Sequence, residues 1–199
     1  AAIKALAGDI REECDTLVVL GIGGSGLGAE TLIEALPNTT PRVVVADNID
    51  PWSFGRLLDG LDLARTTFNV VSKSGETAET MAQFLVVRDL LLRQLGAVDY
   101  ARRVVITTDA DAGALRQVVH DEGFRALAVP AGVGGRFSVL SAVGLFPAAV
   151  AGVRLDDLLA GAAWMDTRCR EPDIWKNPAH LLGTLLYLAE TRHRQNIAV

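Results

Sequence analysis

Short apolar runs alternate with longer amphipathic patterns over the first 130 residues of the chain. Each run is rich in Val, Ile and Leu and lacks the polar alternation of a strand with one solvated face, so it suits a strand that is buried on both faces. The alternation of such strands with helices is typical of a parallel sheet covered on both sides. We therefore predict a three-layer α/β/α fold with five strands, at residues 17–21, 42–46, 67–71, 103–107 and 126–130.

Helical periodicity fills the intervals between these strands and continues alone after residue 135. The predicted helices span residues 26–36, 51–59, 76–95, 112–121, 136–150, 155–166 and 178–195. Asp50 before Pro51, and Asn177 before Pro178, provide a side-chain cap and a proline at the start of two helices. The apolar residues of the third helix form one stripe that predicts core packing: Phe84, Val87, Leu91 and Leu95, widened by Met81, Leu85 and Leu92.

The composition is that of a globular chain with one well-buried core, since 50% of its 199 residues are hydrophobic and 22% are charged. A net charge of −5 without a Lys/Arg block argues against a nucleic-acid partner, because polyanion binding needs clustered cations. No apolar run reaches membrane-spanning length and no signal peptide is recognised, so we expect no membrane partner and a cytoplasmic location. Cys14 and Cys169 form no C-x-x-C motif, and His120, His180 and His193 are isolated. We therefore expect neither a disulfide framework nor a bound metal.

Ligands of an open parallel sheet bind beyond the carboxyl ends of its strands, so the loops after the strands are the candidate sites. Three loops are unusual: "GIGGSGLG" at 21–28, "SKSGETAET" at 72–80 and "GVGGRFS" at 132–138. In the first loop Gly21, Gly23 and Gly26 have G-x-G-x-x-G spacing, and Asp47 ends the next apolar run. That pattern alone matches the dinucleotide site of a dehydrogenase, which is one candidate function.

The second loop favours a phosphate over a dinucleotide. Ser72, Ser74 and Thr77 provide three hydroxyls around a glycine turn at the start of the third helix. Free backbone N–H groups and the positive end of the helix dipole favour an anion there, and a terminal phosphate monoester suits the arrangement. The alternative is ordinary capping of the helix by Ser74 and Thr77. The side chain of Lys73 could equally point to solvent.

The three loops together carry a family resemblance. In order and spacing, "GIGGSGLG", "SKSGETAET" and "GGRFSVLSAVGL" resemble the sugar isomerase (SIS) domain of the glucose-6-phosphate isomerase family, from about residue 15 onward. The resemblance implies a flavodoxin-like sheet of strand order 2-1-3-4-5 with a helical C-terminal extension. It also implies an SIS domain at residues 1–170, followed at 171–199 by a linker and a helix that lead into a second domain beyond "QNIAV".

The resemblance further implies a substrate site made of the matching residues. The phosphate of a hexose 6-phosphate would be held by the hydroxyls of Ser72, Ser74 and Thr77 and by the backbone N–H of Lys73. The sugar would be lined by Gly24 and Ser25. No cofactor and no metal is implied.

Arg136 resembles the active-site arginine of the family. There it would stabilise the enediolate that forms while a proton moves between C1 and C2 of the sugar. Arg136 is also unusual in its own right, because it follows two glycines at the start of a predicted helix, where a cation opposes the dipole. The alternative interpretation is a surface ion pair with an acidic side chain.

The expected function is the aldose–ketose isomerisation of glucose 6-phosphate and fructose 6-phosphate, with this chain as the phosphosugar-binding part. The alternative is a phosphosugar-sensing SIS module without catalysis, which "GGRFS" disfavours because a sensor has no enediolate to stabilise. In the family the catalytic glutamate and the ring-opening histidine and lysine lie in later segments. Glu76 and Glu79 would repel a phosphate if they faced it. We therefore expect that the chain alone binds substrate without turnover, and that the complete enzyme is a homodimer.

Overall fold

The computed structural model describes residues 1–36 and 39–193. Its strands are β1 Thr16–Leu20, β2 Arg42–Ala46, β3 Thr66–Val71, β4 Val104–Asp109 and β5 Arg125–Val129. Its helices are α1 Ala2–Glu13, α2 Leu27–Ala35, α3 Pro51–Asp59, α4 Ala78–Asp99, α5 Ala114–Glu122, α6 Ala142–Val150, α7 Leu155–Cys169 and α8 Pro178–His193. Short 3-10 turns at Gly23–Ser25 and Gly135–Phe137 follow β1 and β5.

The five strands form one parallel sheet in the order β2-β1-β3-β4-β5. Leu20 at the end of β1 pairs with Ala46 of β2 on one side and with Val70 of β3 on the other. The carboxyl ends of these three strands are therefore level, and the loops that follow them start side by side. The α/β fold class with strand order 2-1-3-4-5 is confirmed.

Helices cover both faces of the sheet and divide the core into two apolar layers. Under α3, α4 and α5 the buried side chains include Phe54, Leu58, Phe84, Val87, Leu91, Leu115 and Val119. Under α1 and α6 they include Ile10, Val143, Phe146 and Val150. In β3, Phe68 and Val70 belong to the first layer and Val71 to the second, as the period of two in a strand requires. Burial on both faces explains the continuous apolar runs of β1, β3 and β4, whereas the edge strands β2 and β5 are only partly buried.

An aromatic cluster closes the first layer between α4 and β5. The ring of Phe124 meets the rings of Phe84 and Tyr100 edge-on, at centroid distances of 6.1 and 5.6 Å. The guanidinium of Arg88 lies 5.9 Å from the centroid of Tyr100 and forms an ion pair with Glu122 at 2.5 Å. The stripe predicted on the third helix is thus core at Phe84, whereas Leu85 is 58% exposed and does not belong to it.

The predicted caps at Asp50 and Asn177 are confirmed. The Asp50 carboxylate accepts a hydrogen bond of 2.8 Å from the backbone N–H of Ser53, and such bonds lower the pKa of Asp50. Asn177 Oδ1 accepts from the N–H of His180 at 3.0 Å. The last two residues of the predicted helix 178–195 lie outside the described residues.

The contacts of the chain group it into two compact units, Ala1–Val153 and Arg154–Val199. The second unit contains α7 and α8. The loop between these two helices is held by the fully buried Asn177. Its Nδ2 donates to the carbonyls of Cys169 and Glu171, each at 2.8 Å. The domain boundary expected after residue 170 lies within this second unit. The expected division into an SIS domain and a linker with a helix stays a prediction.

Two parts of the first unit differ from the sequence prediction. Helix α1 was not predicted, because only Ala7 and Ile10 of it are buried and Gly8 interrupts its apolar spacing. The helix predicted over 136–150 begins only at α6, where the Ser141 hydroxyl accepts from the N–H of Val143. Serine hydroxyls compete for backbone groups before it, since Ser138 Oγ donates to the carbonyl of Gly135 at 2.6 Å.

Replacement of Phe84 by alanine should lower the free energy of unfolding by about 3–5 kcal/mol, because the ring is 1% exposed and its removal leaves a cavity. Urea unfolding followed by circular dichroism measures this loss. The matched control is Leu85→Ala on the same helix, which should change stability by only about 0.5 kcal/mol. Equal losses in the two variants would contradict the assignment of the core face of α4.

Candidate functional site

A cleft of about 420 Å³ opens at the carboxyl edge of the sheet. It is lined by residues from the loops after β1, β3 and β4: Ser25, Lys73, Ser74, Thr77, Asp109, Ala112 and Gly113. Its position agrees with the rule that ligands of an open parallel sheet bind beyond the strand ends, at the point where strand order reverses. Its volume lies within the range of small-molecule sites, about 300–1,000 Å³.

The loop after β3 forms a compact turn around the hydroxyl of Ser72. This buried side chain accepts a hydrogen bond from the N–H of Gly75 at 3.1 Å and lies 3.1 Å from Thr77 Oγ1. Ser74 Oγ accepts from the N–H of Glu76 at 3.2 Å. The turn therefore brings the three predicted hydroxyls together at the start of α4, with Ser74 and Thr77 on the wall of the cleft.

Thr77 stands at the N-cap position of α4, yet its side chain makes no capping hydrogen bond. Its hydroxyl faces Ser72 instead. The alternative interpretation, that the Thr77 hydroxyl caps the helix, is therefore wrong. The first turn of α4 keeps backbone donors without a side-chain partner, which with the helix dipole favours an anion.

Two glycines bring the loops after β3 and β4 into direct backbone contact. Gly75 has φ +71° and Gly113 has φ +99°, conformations that side chains rarely adopt. A Cβ on Gly113 would lie 2.5 Å from the carbonyl oxygen of Ser74, and one on Gly75 would lie 2.6 Å from the N–H nitrogen of Leu115. Glycine at both positions thus sets the width of the cleft on this side.

A second backbone contact joins the loop after β1 to the loop after β5. A Cβ on Gly24 would lie 2.5 Å from the carbonyl carbon of Gly135 and 2.9 Å from the nitrogen of Arg136. Ser138 Oγ also reaches the carbonyl of Gly24 at 3.3 Å. The absence of a side chain at Gly24 therefore lets the segment that carries Arg136 approach the cleft.

The Lys73 side chain does not extend into solvent. Its ammonium donates to the carbonyl of Val133 at 2.8 Å. On the same wall, Asp109 accepts from the N–H groups of Asp111 and Ala112 at 3.0 and 3.2 Å. These two bonds are the main reason why the pKa of Asp109 is lowered, with a smaller contribution from the charge of Lys73. Asp109 is thus a turn-forming residue whose carboxylate stays ionised.

Arg136 is exposed, and its guanidinium has no hydrogen-bond or ion-pair partner among residues 1–36 and 39–193. The surface ion pair considered as an alternative is therefore absent from the described part of the chain. The expectation that Arg136 begins a long helix is wrong, because it lies in a single 3-10 turn that ends before α6. Arg136 is therefore not at the N-terminus of α6, and the dipole of that helix says nothing about the role of Arg136.

The structure thus brings four predicted residues onto the cleft wall: Ser25, Lys73, Ser74 and Thr77. Ser72 lies behind Thr77, and Gly24 and Arg136 meet at the contact between their loops. Three further residues of the cleft wall were not predicted from the sequence: Asp109, Ala112 and Gly113. Their position directly after the fourth strand was the available signal, but one Asp and one Gly in a turn are too common to single out.

Comparison with known proteins identifies the family of the chain. The family model of the phosphoglucose isomerases matches residues 4–195. The chain belongs to this family. The glucose-6-phosphate isomerase of Carboxydothermus hydrogenoformans is 40% identical over the whole chain and 45% of its own length. A probable glucose-6-phosphate isomerase of Haloquadratum walsbyi is 44% identical over 91% of the chain and 41% of its own length.

Solved structures agree with the assignment to the phosphoglucose isomerase family. A glucose-6-phosphate isomerase from Chlamydia trachomatis superposes with a TM-score of 0.85 at 27% identity, over 95% of this chain and 37% of that one. A hypothetical protein from Thermus thermophilus superposes with a TM-score of 0.89 at 39% identity, over 95% of this chain and 45% of that one. The chain thus spans less than half the length of the curated family members that it matches.

The described residues also bear on the expectations about a metal and a membrane. In the described ranges, no group of three or more His, Cys, Asp or Glu side chains has the arrangement of a metal site. None of the described helices combines the length and apolar character that crossing a membrane requires. His120 and His180 are exposed, and the side chain of His193 lies outside the described part of the chain.

Replacement of Gly24 by alanine should destabilise the chain by about 1–3 kcal/mol, because its Cβ would overlap the backbone of Gly135. Thermal and urea unfolding measure the loss. Gly134→Ala is the matched control, since its Cβ would have only Phe137 Cδ2 nearby, at 3.8 Å. If both variants were as stable as the parent chain, the close contact between the two loops would be refuted.

Proposed function

We propose that this chain is the phosphosugar-binding part of a glucose-6-phosphate isomerase, which interconverts glucose 6-phosphate and fructose 6-phosphate. The observation that carries the proposal is the cluster of hydroxyls at the uncapped start of α4, with Ser72 and Thr77 3.1 Å apart. Membership of the phosphoglucose isomerase family and the names of the relatives favour an isomerase over a phosphosugar sensor.

In this proposal the phosphate of the sugar lies at the start of α4. Ser74 and Thr77 donate hydrogen bonds to it from the cleft wall, and Ser72 and the backbone N–H of Lys73 complete its shell. The helix dipole adds favourable electrostatic energy. The ionised Asp109 carboxylate also lines the cleft and repels a dianion, so the phosphate is placed at the hydroxyls and N–H groups of the α4 start.

The sugar then lies against the loop after β1, where Gly24 and Ser25 line it. Arg136 approaches from the adjacent segment, with its charge unengaged by any described residue. Isomerisation moves a proton between C1 and C2 through an enediolate, and a fixed cation near the developing oxyanion lowers that barrier. The exposed Glu76 and Glu79 are not on the cleft wall, so the general base is assigned to neither.

The proposal extends to a complete enzyme that works as a homodimer in the cytoplasm. Trp52 and Phe137 of the first unit and Trp175 of the second are 73, 81 and 80% exposed, and each is a candidate for a contact with the rest of the complete protein. Sedimentation of the complete protein gives its mass and hence its oligomeric state.

The double substitution Ser72→Ala/Thr77→Ala should weaken the binding of fructose 6-phosphate by about ten- to a hundredfold, because hydrogen bonds to a charged group are lost. Isothermal titration of the chain measures the affinity, and circular dichroism checks the fold. The matched control is Ser53→Ala/Thr191→Ala, which removes two exposed hydroxyls outside the cleft. Unchanged affinity in the first double variant would refute the phosphate site.

In the complete isomerase that carries this chain, Arg136→Ala should lower kcat by more than it raises KM, because the arginine charge matters most as the enediolate forms. Arg136→Lys should restore little, since an ammonium lacks the planar donor pair of a guanidinium. A coupled assay of fructose 6-phosphate formation measures both constants. Arg102→Ala is the control, as it removes an exposed arginine that precedes β4 at the opposite edge of the sheet. Normal turnover in Arg136→Ala would rule out the proposed role.

A further inference from the structure

The side chain of Lys73 links two loops that belong to non-adjacent strands. Its backbone follows β3, whereas its ammonium donates to the carbonyl of Val133, which follows β5. The side chain therefore reaches past the end of β4, which lies between these strands. Lys73 is one of three lysines in the chain, and no other lysine lines the cleft.

The near end of this link is firmly held. The backbone carbonyl of Lys73 accepts hydrogen bonds from the N–H of Asp109 at 3.2 Å and from Thr108 Oγ1 at 3.3 Å. The residue before it, Ser72, donates its N–H to the carbonyl of Thr107 at 3.1 Å. The ammonium is thus presented from a backbone that is fastened to the end of β4.

The far end of the link is a segment with few contacts of its own. Residues 134–137 are exposed, and the first buried side chain after them is Ser138. Local turns shape the segment, since Val133 N–H donates to the carbonyl of Pro130 and Phe137 N–H to that of Gly134. Neither bond fixes the segment relative to the cleft. Two contacts hold it from outside: Gly24 lies against the backbone of Gly135 and Arg136, and the Lys73 ammonium holds the start of the segment at Val133.

We propose that Lys73 is a positioning residue for Arg136: its ammonium holds the Val133 carbonyl and thereby fixes the height of the segment 133–137 above the cleft. Arg136 is three residues beyond the anchored carbonyl and has no side-chain partner of its own among the described residues. The location of its charge therefore depends on how the backbone of this segment is held. The inference rests on the proposed function in one respect, the role of Arg136 in the reaction.

A charged donor suits this task. A hydrogen bond from an ammonium to a carbonyl is stronger than one between neutral groups, and the partly buried position of Lys73 limits the competition from water. The competing interpretation is that the ammonium binds the substrate phosphate directly. In that case the bond to Val133 would have no effect on Arg136, and the two interpretations differ in measurable ways.

The first test uses the ligand-free chain and is independent of any reaction. Lys73→Met should speed hydrogen exchange at the amides of Phe137 and Ser138 by about tenfold, because the segment loses one of its two anchors. Exchange in β3 and β4 reports whether the fold is intact. Lys73→Arg retains a cationic donor and should restore most of the protection. Lys176→Met removes a lysine of the second unit as a control. Unchanged exchange at these amides in Lys73→Met would overturn the proposal.

The second test is a double-mutant cycle in the complete isomerase. Lys73→Met should lower kcat about tenfold when Arg136 is present and should have little further effect in the Arg136→Ala background. Additive losses, or a raised KM with normal kcat, would mean that the ammonium acts on the phosphate and would overturn the positioning role. A complete protein without isomerase activity would refute the proposed function, whereas the exchange measurement would still decide whether Lys73 anchors the segment.

Discussion

The parallel pairing of β1 with β3 is the interaction on which the cleft depends. Because Leu20 pairs with Val70, these strands end at the same level and their loops emerge side by side. The chain leaves the two strands toward opposite edges of the sheet, so a crevice opens between the loops. An apolar layer on each face holds the strands in this register, since a slip of one residue would turn their buried side chains to the wrong face.

Backbone contacts then convert this crevice into a cleft of defined width. Gly113 lies against the loop after β3, and Gly24 lies against the segment after β5. Side chains at these positions would push the loops apart, and such a displacement would weaken the binding of a ligand that contacts both loops. The hydroxyls, the Lys73 ammonium and the Arg136 backbone are therefore located by glycines as much as by their own contacts.

The sequence was informative where burial or local turn chemistry decides the structure. The apolar runs were enough to predict the strands. The starts of α3 and α8 were predicted from Asp50 and Asn177, each of which is followed by a proline. The proximity of Ser72, Ser74 and Thr77 could be predicted because all three lie in one short loop. The link from Lys73 to Val133 could not be predicted, because it joins residues 60 positions apart through a single flexible side chain. The environment of Arg136 was mispredicted because serine hydroxyls delay the start of α6.

The missing side-chain cap of α4 has a further consequence. The first N–H groups of this helix have no side-chain partner, so the helix forms without the free energy that a cap contributes. An anion that binds there would take the place of the cap. Ligand binding and folding would then be thermodynamically linked, and the unfolding temperature of the chain would rise with ligand concentration. The cleft would in this way couple the abundance of its ligand to the lifetime of the folded protein.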